Sequence, residues 1–365
     1  MRKKLILLSI VLVLAAAATA TCSPFYVLRA GVEEAKILSR RRPITEVIDD
    51  PTTSEEVRRK LDLVLQARTF ASERLNLRAG DSYTSYSWVD RDTLALVLSA
   101  ARKDRFQAYT WWFPIVGHVP YKGFFSLDAA RRAAEDLERK GYDTYIRPTS
   151  AFSTLGWFPD PLLSTLLRYS DVDLVSTVIH EITHNTVFVP SNVSFNESFA
   201  SFVGDRGAIE FFCGIEGEDG ERCAEARRQW ADNVIFGRFL EGLIADLEAV
   251  YARTDLTTEE RVARRDEVYA RARDRFVREV QPRLSNPGYR GFANLRPNNA
   301  RLIAIRLYYD RLWLFDEVLE RHGGDLPATV RAIRTALADA GGDPFDVLRR
   351  LAHDSAATAP AGRGE

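Results

Sequence analysis

The chain has 365 residues, 46% of them hydrophobic and 28% charged, enough to bury a large core in one big domain or two. Its formal net charge of -1 excludes the global basic field that nucleic acid would call for, and no acidic block marks a solvating tail. Met1-Arg2-Lys3-Lys4 is a basic start, and an unbroken apolar run follows from Leu5 to Ala20, ending in small residues. This is the pattern of a secretory signal. The run is short for a membrane span, which needs roughly 20 apolar residues, but extension through Cys22 to Leu28 would make it a signal anchor. Cys22 also sits where a lipoprotein carries its lipidated cysteine, although Thr19-Ala20-Thr21 is a poor lipobox. Residues 1–24 are therefore expected to be a signal peptide or a membrane or lipid anchor. Each alternative puts the body outside the cytoplasm, the anchored ones tethering it to the membrane.

Residues 25–355 read as a single domain in three stretches. The first, 25–78, is a helical lead-in, with Arg29 to Ser39 as a short amphipathic piece and Ser54 capping a helix that has Glu55 and Glu56 in its first turn. In 79–160 the period changes. "SYTSYSWV", "TLALVLSA", "FQAYTWWFPIVG", "GFF" and "YDTYIRP" are short, aromatic or β-branched and bounded by Gly, Pro or Asp, which predicts a small mixed sheet. One helix interrupts it, Leu127 to Lys140, closed by Gly141. From 161 to 355 the chain reads as helical, with segments expected near 161–188, 193–213, 223–252, 257–283, 297–321, 325–338 and 342–353. Residues 356–365 are small and polar and read as a disordered tail. The fold class is thus α+β, a small mixed sheet lobe followed by a mainly helical lobe. Cys213 and Cys223 flank a Gly-rich acidic turn and are expected to form a disulfide in an oxidising space, the alternative being two unpaired thiols.

The chemistry concentrates in "VIHEITHNTVFVPSNVSFNESFASFV", residues 178–203. His180 and His184 are four apart, an offset of only about 40° on a helix, so both imidazoles leave one face and can reach one ion. Glu181 follows His180 by about 100°, beside the ion without ligating it, where a general base for a metal-activated water belongs. Leu174, Val175, Val178, Ile179 and Ile182 make the flanks apolar, with Asp171 or Asp173 expected as the helix cap. A catalytic zinc usually has three protein ligands, and Glu197, after the break at Pro190-Ser191-Asn192, is the candidate third. Zn2+ is the expected cofactor and a peptide the expected substrate, lying in a cleft between the lobes. The bland alternative is a chance His-Glu-x-x-His on a core helix.

Around these residues other readings stay open. Tyr308 and Tyr309, on a helix behind Asn298-Asn299, are candidate donors to a tetrahedral oxyanion, or packing tyrosines. Ser201 could support Glu197 from one turn on, and Asn196 could be an N-cap. "STLGWFPDP", 153–161, is either an edge that a peptide pairs with or an ordinary strand and loop. Trp111, Trp112, Tyr121 and Trp157 could line the cleft or fill the core. His118 is expected to be structural, and His322 to end a helix.

"HEITH" followed by "NESFASFV" resembles the gluzincins, zinc peptidases with two His and one Glu, and "NESFA" looks like the element of the aminopeptidase N-type enzymes, though across a shorter gap. More closely, the chain resembles the bacterial putative zinc aminopeptidase family, exported and often lipid-anchored. The shared features are "RRRPITEVI" (41–49), "WFPIVGHVPYKGFF" (112–125), "AFSTLGWFPDPLLSTLLRY" (151–169), the 178–203 stretch and "NNARL" (298–302). The resemblance implies a zincin-like fold with the His-Glu-x-x-His helix at the lobe junction, in a body facing the bacterial periplasm or cell envelope. It implies zinc on His180, His184 and Glu197, Glu181 as base, and peptide hydrolysis at an N-terminus. The Gly-x-Met-Glu-Asn motif by which aminopeptidase N-type enzymes grip a substrate amine is absent from the sequence. Alternatives to an aminopeptidase are a zinc endopeptidase and a non-catalytic, membrane-tethered envelope protein whose zinc staples two helices.

Overall fold

The computed structural model describes residues 37–89, 95–113, 117–149, 160–294, 296–339 and 341–353. The expected anchor with Cys22, most of the 153–161 stretch with Trp157, and the tail lie outside them. Among the described residues, no helix is long and apolar enough to cross a membrane.

The architecture is α+β. The lead-in supplies β1 (Arg42–Pro43), α1 (Ile44–Asp49) and α2 (Glu55–Glu73), the last opened by Ser54, whose Oγ accepts from Val57 N at 3.4 Å. The next stretch supplies β2 (Ser85–Ser87), β3 (Ala95–Arg102), β4 (Trp111–Phe113), β5 (Gly117–Val119), β6 (Tyr121–Phe124), α3 (Leu127–Arg139) and β7 (Tyr142–Thr149). Gly141 ends α3 in the left-handed conformation, φ +82°, which glycine adopts without steric cost.

These strands make three small sheets rather than one. β3 lies between β6 and β7, antiparallel to both. Its residues are almost all buried, because α3 covers one face through Leu98, Ala100, Ala130, Ala134 and Leu137, and a later helix packs against the strand as well. A strand covered in this way reads as the near-continuous apolar run "ALVLSA". β4 and β5 pair antiparallel as a two-stranded sheet, with Trp112 and His118 exposed. β2 joins neither group. It pairs antiparallel with β1 and parallel with β8 (Leu162–Leu163), which ties the lead-in to the start of the helical lobe.

The helical lobe comprises α4 (Asp171–His184), α5 (Val193–Glu216), α6 (Glu221–Tyr251), α7 (Thr258–Arg275), α8 (Asn299–Arg306), α9 (Leu312–Arg321), α10 (Leu326–Asp339) and α11 (Pro344–His353). The main core joins α2, α4, α5, α9, α10 and α11 through side chains such as Leu61, Ile179, Phe199, Phe315 and Phe345. A second core joins α6 and α7 around Phe236, Phe239 and Phe276. Asn299, fully buried, fastens α8 to the β3–β7 sheet: its Nδ2 donates to Arg102 O at 2.8 Å, its backbone N donates to Asp143 Oδ2 at 3.0 Å, and its Oδ1 accepts from Tyr251 and Tyr269. The expected bridge is present, with Cys213 near the end of α5 bonded to Cys223 at the start of α6.

Three of the expected helices are shorter than the sequence suggests. The 161–188 segment holds β8 and a 3-10 turn, Ser164–Arg168, before α4 starts at Asp171. Its cap is Ser170, whose Oγ accepts from Asp173 N at 3.1 Å, rather than Asp171 or Asp173. Asp171 is instead drawn into ion pairs with Arg59, Lys60 and Arg222. The 257–283 segment leaves α-geometry at Phe276 for a π turn and a 3-10 turn. The 297–321 segment breaks at 307–311, so Tyr308 and Tyr309 lie in a turn between α8 and α9, not on a helix.

Candidate metal centre

α4 buries Val172, Val175, Val178, Ile179 and Ile182 completely or nearly so, which fixes the rotation of the helix. The other face carries His180 and His184, whose side chains retain only 13% and 12% exposure. After a short loop the chain returns as α5 and crosses α4 closely. Gly204 permits the crossing, since a Cβ there would stand 2.6 Å from the Ser176 carbonyl oxygen and 3.1 Å from His180 Cβ. Asn196 holds the loop shut: Val189 N donates to its Oδ1 at 2.9 Å and its Nδ2 donates to Val189 O at 2.8 Å. It is thus a buried clamp at the end of the first turn of α5, not an N-cap. Phe199, Phe202 and Val203 point into the core, leaving Glu197 to face α4.

His180 Nε2 lies 3.3 Å from His184 Nε2 and 3.4 Å from Glu197 Oε2, and His184 Nε2 lies 3.9 Å from the same oxygen. Donors around a tetrahedral zinc with bonds of about 2.0–2.1 Å are roughly 3.3 Å apart, so the spacing fits such an ion. Donor atoms of these three residues all fall within 4.8 Å of one another, and among the described residues no further His, Cys, Asp or Glu joins the group. Two imidazoles and one carboxylate suit zinc.

The electrostatics follow from burial. Burial pushes His184 down to about 4, keeping it neutral. Burial alone would also lower His180, but the hydrogen bond to Glu197 and the charges of Glu181 and Glu197 outweigh it and raise it. Glu197 shows the converse, burial being outweighed by its two imidazole neighbours, which hold it below the usual carboxylate range. Glu181 stands outside the converging donors. Burial, reinforced by the charges of Glu197 and Asp160 against that of His180, pushes it up to about 7.

Of the two candidate tyrosines, only Tyr308 is at this site. Its ring centroid is 6.3 Å from that of His180, and its hydroxyl oxygen accepts from Arg147 Nη2 at 3.2 Å. Tyr309 instead packs edge-on against Phe236 at 5.1 Å, in the second core. The turn that presents Tyr308 is tied to α5 beside Glu197. Ser198 Oγ donates to Leu307 O and accepts from Asp310 N, both at 2.9 Å, while Ser194 donates to Asp310 Oδ2 at 2.8 Å. On its other side Gly237 of α6 lets the Tyr309 carbonyl approach to where a Cβ would meet it at 2.9 Å.

The remaining candidates sort themselves by position. Tyr121 is near the triad: burial, with the charge of Glu197 next, raises its phenol. Trp111 packs on Tyr109 at 4.8 Å, and Trp112 is exposed on β4. His118 is exposed with Thr110 as partner, and His322 ends α9 with its Nδ1 on Val318 O, as expected. Ser201 forms no hydrogen bond to Glu197.

Three residues near the centre escape the sequence reading. Asp205, eight residues beyond Glu197 and about 80° around α5 from it, accepts from Ser176 Oγ at 2.5 Å and Asn233 Nδ2 at 2.8 Å. An i+8 position within one broad helix stripe was the available signal. Tyr83, fully buried, has φ +61°, an uncommon conformation for a bulky residue, and its phenol is raised by burial and then by the charge of Glu181. Arg147 comes from β7. Neither of the last two carries any sequence signal of its place.

Compared with known proteins, residues 25–341 match the model of a family described as putative aminopeptidase. No curated protein and no solved structure matches the chain significantly.

Proposed function

The chain belongs to the putative aminopeptidase family, and from that premise we propose that it is a zinc-dependent peptidase acting at the N-terminus of peptides. The observation that carries the zinc reading is the convergence of His180, His184 and Glu197, with Glu181 beside them but outside the donor set. Zinc bound there would supply a Lewis acid that lowers the pKa of a water and polarises the scissile carbonyl.

The chain's own residues complete the chemistry. His180, His184 and Glu197 would hold the ion. Glu181 takes the proton of the attacking water and passes it to the departing amine. Tyr308 stays protonated, because burial and the charge of Glu197 raise its phenol. Arg147 donates to its oxygen, which turns the tyrosine's own O–H away from Arg147 and frees it to donate to the developing oxyanion. A purely structural zinc would have no use for an acid at position 181 and would be closed by a fourth protein ligand; the three-donor group favours the enzyme.

Export to the cell envelope with an N-terminal anchor is part of this reading. The basic start, the apolar run and the Cys213–Cys223 bridge support it. The test is metal analysis and peptide hydrolysis by purified protein, wild type against Glu181→Gln. One zinc per chain in both, with turnover in wild type alone, is expected; equal activity in the two removes Glu181 from the mechanism. Free against N-acetylated peptides then separate aminopeptidase from endopeptidase.

A further inference from the structure

A cavity of about 610 Å³ opens beside the metal centre, with Arg147 and Tyr308 in its lining and aromatic walls from Tyr145, Phe236, Tyr289 and Phe292. Arg147 is half-buried there with few partners. Among the described residues its one hydrogen bond is that from Nη2 to Tyr308, and its guanidinium stands over the Tyr308 ring at 5.6 Å. Its Nε is buried with no partner, and among the described residues no carboxylate lies within ion-pairing distance. A cation that lines a cavity away from carboxylates can receive an anion there.

The nearby acids are already engaged. Glu197, whose charge reaches Arg147, is committed to the two imidazoles. Asp205 and Asp173 also line the cavity, but Asp205 is held by Ser176 and Asn233, and Asp173 by Ser170 Oγ at 2.9 Å.

We propose that Arg147 receives the free C-terminal carboxylate of the residue following the scissile bond, so that the preferred substrates are dipeptides whose second side chain fills the aromatic cavity. This rests on the peptidase reading above. Tyr308 faces the carbonyl under attack and Arg147 is its hydrogen-bonded neighbour, so the anion that Arg147 takes lies about one residue away, where successive Cα atoms are 3.8 Å apart. The end-on edge of the guanidinium, with Nη1 unused among the described residues and Nη2 keeping a second N–H beside the one given to Tyr308, matches a planar carboxylate. In the reaction the C–N bond breaks and water is consumed: its oxygen joins the acyl carbon and its two protons end on the amine, giving two amino acids.

The test uses the full-length zinc-loaded protein with Ala-Phe and its C-terminal amide as probes. The acid is expected to exceed the amide in kcat/KM by about tenfold or more, and Arg147→Gln to bring that ratio close to one. Arg147→Lys, which keeps the charge but not the fork, is expected to fall between. Equal values for the two probes in wild type overturn the proposal. So does an Arg147→Gln protein that is slower on both with the ratio preserved, because Arg147 would then act through Tyr308 alone. Calorimetric titration of Glu181→Gln protein with the same two probes should show the same preference without turnover. If wild type cleaves neither probe while this titration still prefers the acid, the peptidase reading fails and the carboxylate site stands; if the titration shows no preference, the site fails.

Discussion

Gly204 of α5 lies so close to Ser176 of α4 that a Cβ on it would stand 2.6 Å from the Ser176 carbonyl oxygen. This approach is what lets Glu197, two turns earlier on α5, reach the imidazoles of α4. Because the obstacle is helix backbone, Gly204→Ala must push the helices apart. A loss of about 1–3 kcal/mol is expected by urea unfolding, with weaker zinc binding in a competitive chelator titration. Gly214, near the end of the same helix with nothing within 4 Å, is the control: Gly214→Ala should stabilise by about 0.5–1 kcal/mol and leave zinc affinity alone.

Tyr308→Phe removes the proposed oxyanion donor while keeping the ring beside His180. A fall of about 10²–10³ in kcat is expected with little change in KM, measured by steady-state hydrolysis of a short peptide. Tyr309→Phe, in the second core, should leave kcat within about twofold by the same assay; a large loss there would point to the wrong tyrosine.

Ser198 is fully buried and satisfies two backbone groups that the break between α8 and α9 would otherwise strand. Ser198→Ala should therefore cost about 2 kcal/mol in chemical denaturation. It should also lower kcat more than zinc content, because the turn it anchors presents Tyr308 and not a metal ligand.

Asp171 provides the pH test. Burial alone would raise its carboxyl, but Arg59 and Lys60 hold it well below the ordinary range, and its place at the start of α4 adds the favourable helix dipole. A depressed folded-state pKa gives stability that is complete above the unfolded value near about 3.9 and is lost as pH falls toward the folded one. Asp171→Asn should thus destabilise by about 2 kcal/mol at pH 7, with the difference from wild type shrinking below about pH 4 in urea melts.

The bridge between Cys213 and Cys223 closes a short loop between two long helices. Replacing both cysteines with serine should cost about 2–3 kcal/mol in thermal or urea unfolding. Wild-type protein treated with a strong reductant should match the double variant, and an unchanged transition would show the bridge to be dispensable.

The convergence of His180 and His184 was the most legible part of the candidate site, because helix geometry converts their spacing directly into a shared face. Glu197 was legible because Pro190-Ser191-Asn192 marks the return of the chain. The start of α4 was not. Leu162, Leu163, Leu166 and Leu167 fit a helical period, yet β2 captures the first two as a strand, and only Ser170 restarts the helix. Nor was the break at 307–311 legible, since no Gly or Pro marks it. It is imposed by tertiary contacts with Ser198 and Gly237 and completed by Arg311 at φ +52°. Arg147 looks like any strand arginine until the fold surrounds it with aromatic rings.

Asn196 carries one more consequence. Its amide grips both polar groups of Val189, so the connection between the ligand-bearing helices is cinched by the polypeptide itself. The donors are then pre-arranged before any cation arrives, and the entropy of ordering that connection is spent during folding, not during capture. Stripping and reloading the ion should leave the circular dichroism spectrum of the helices unchanged throughout.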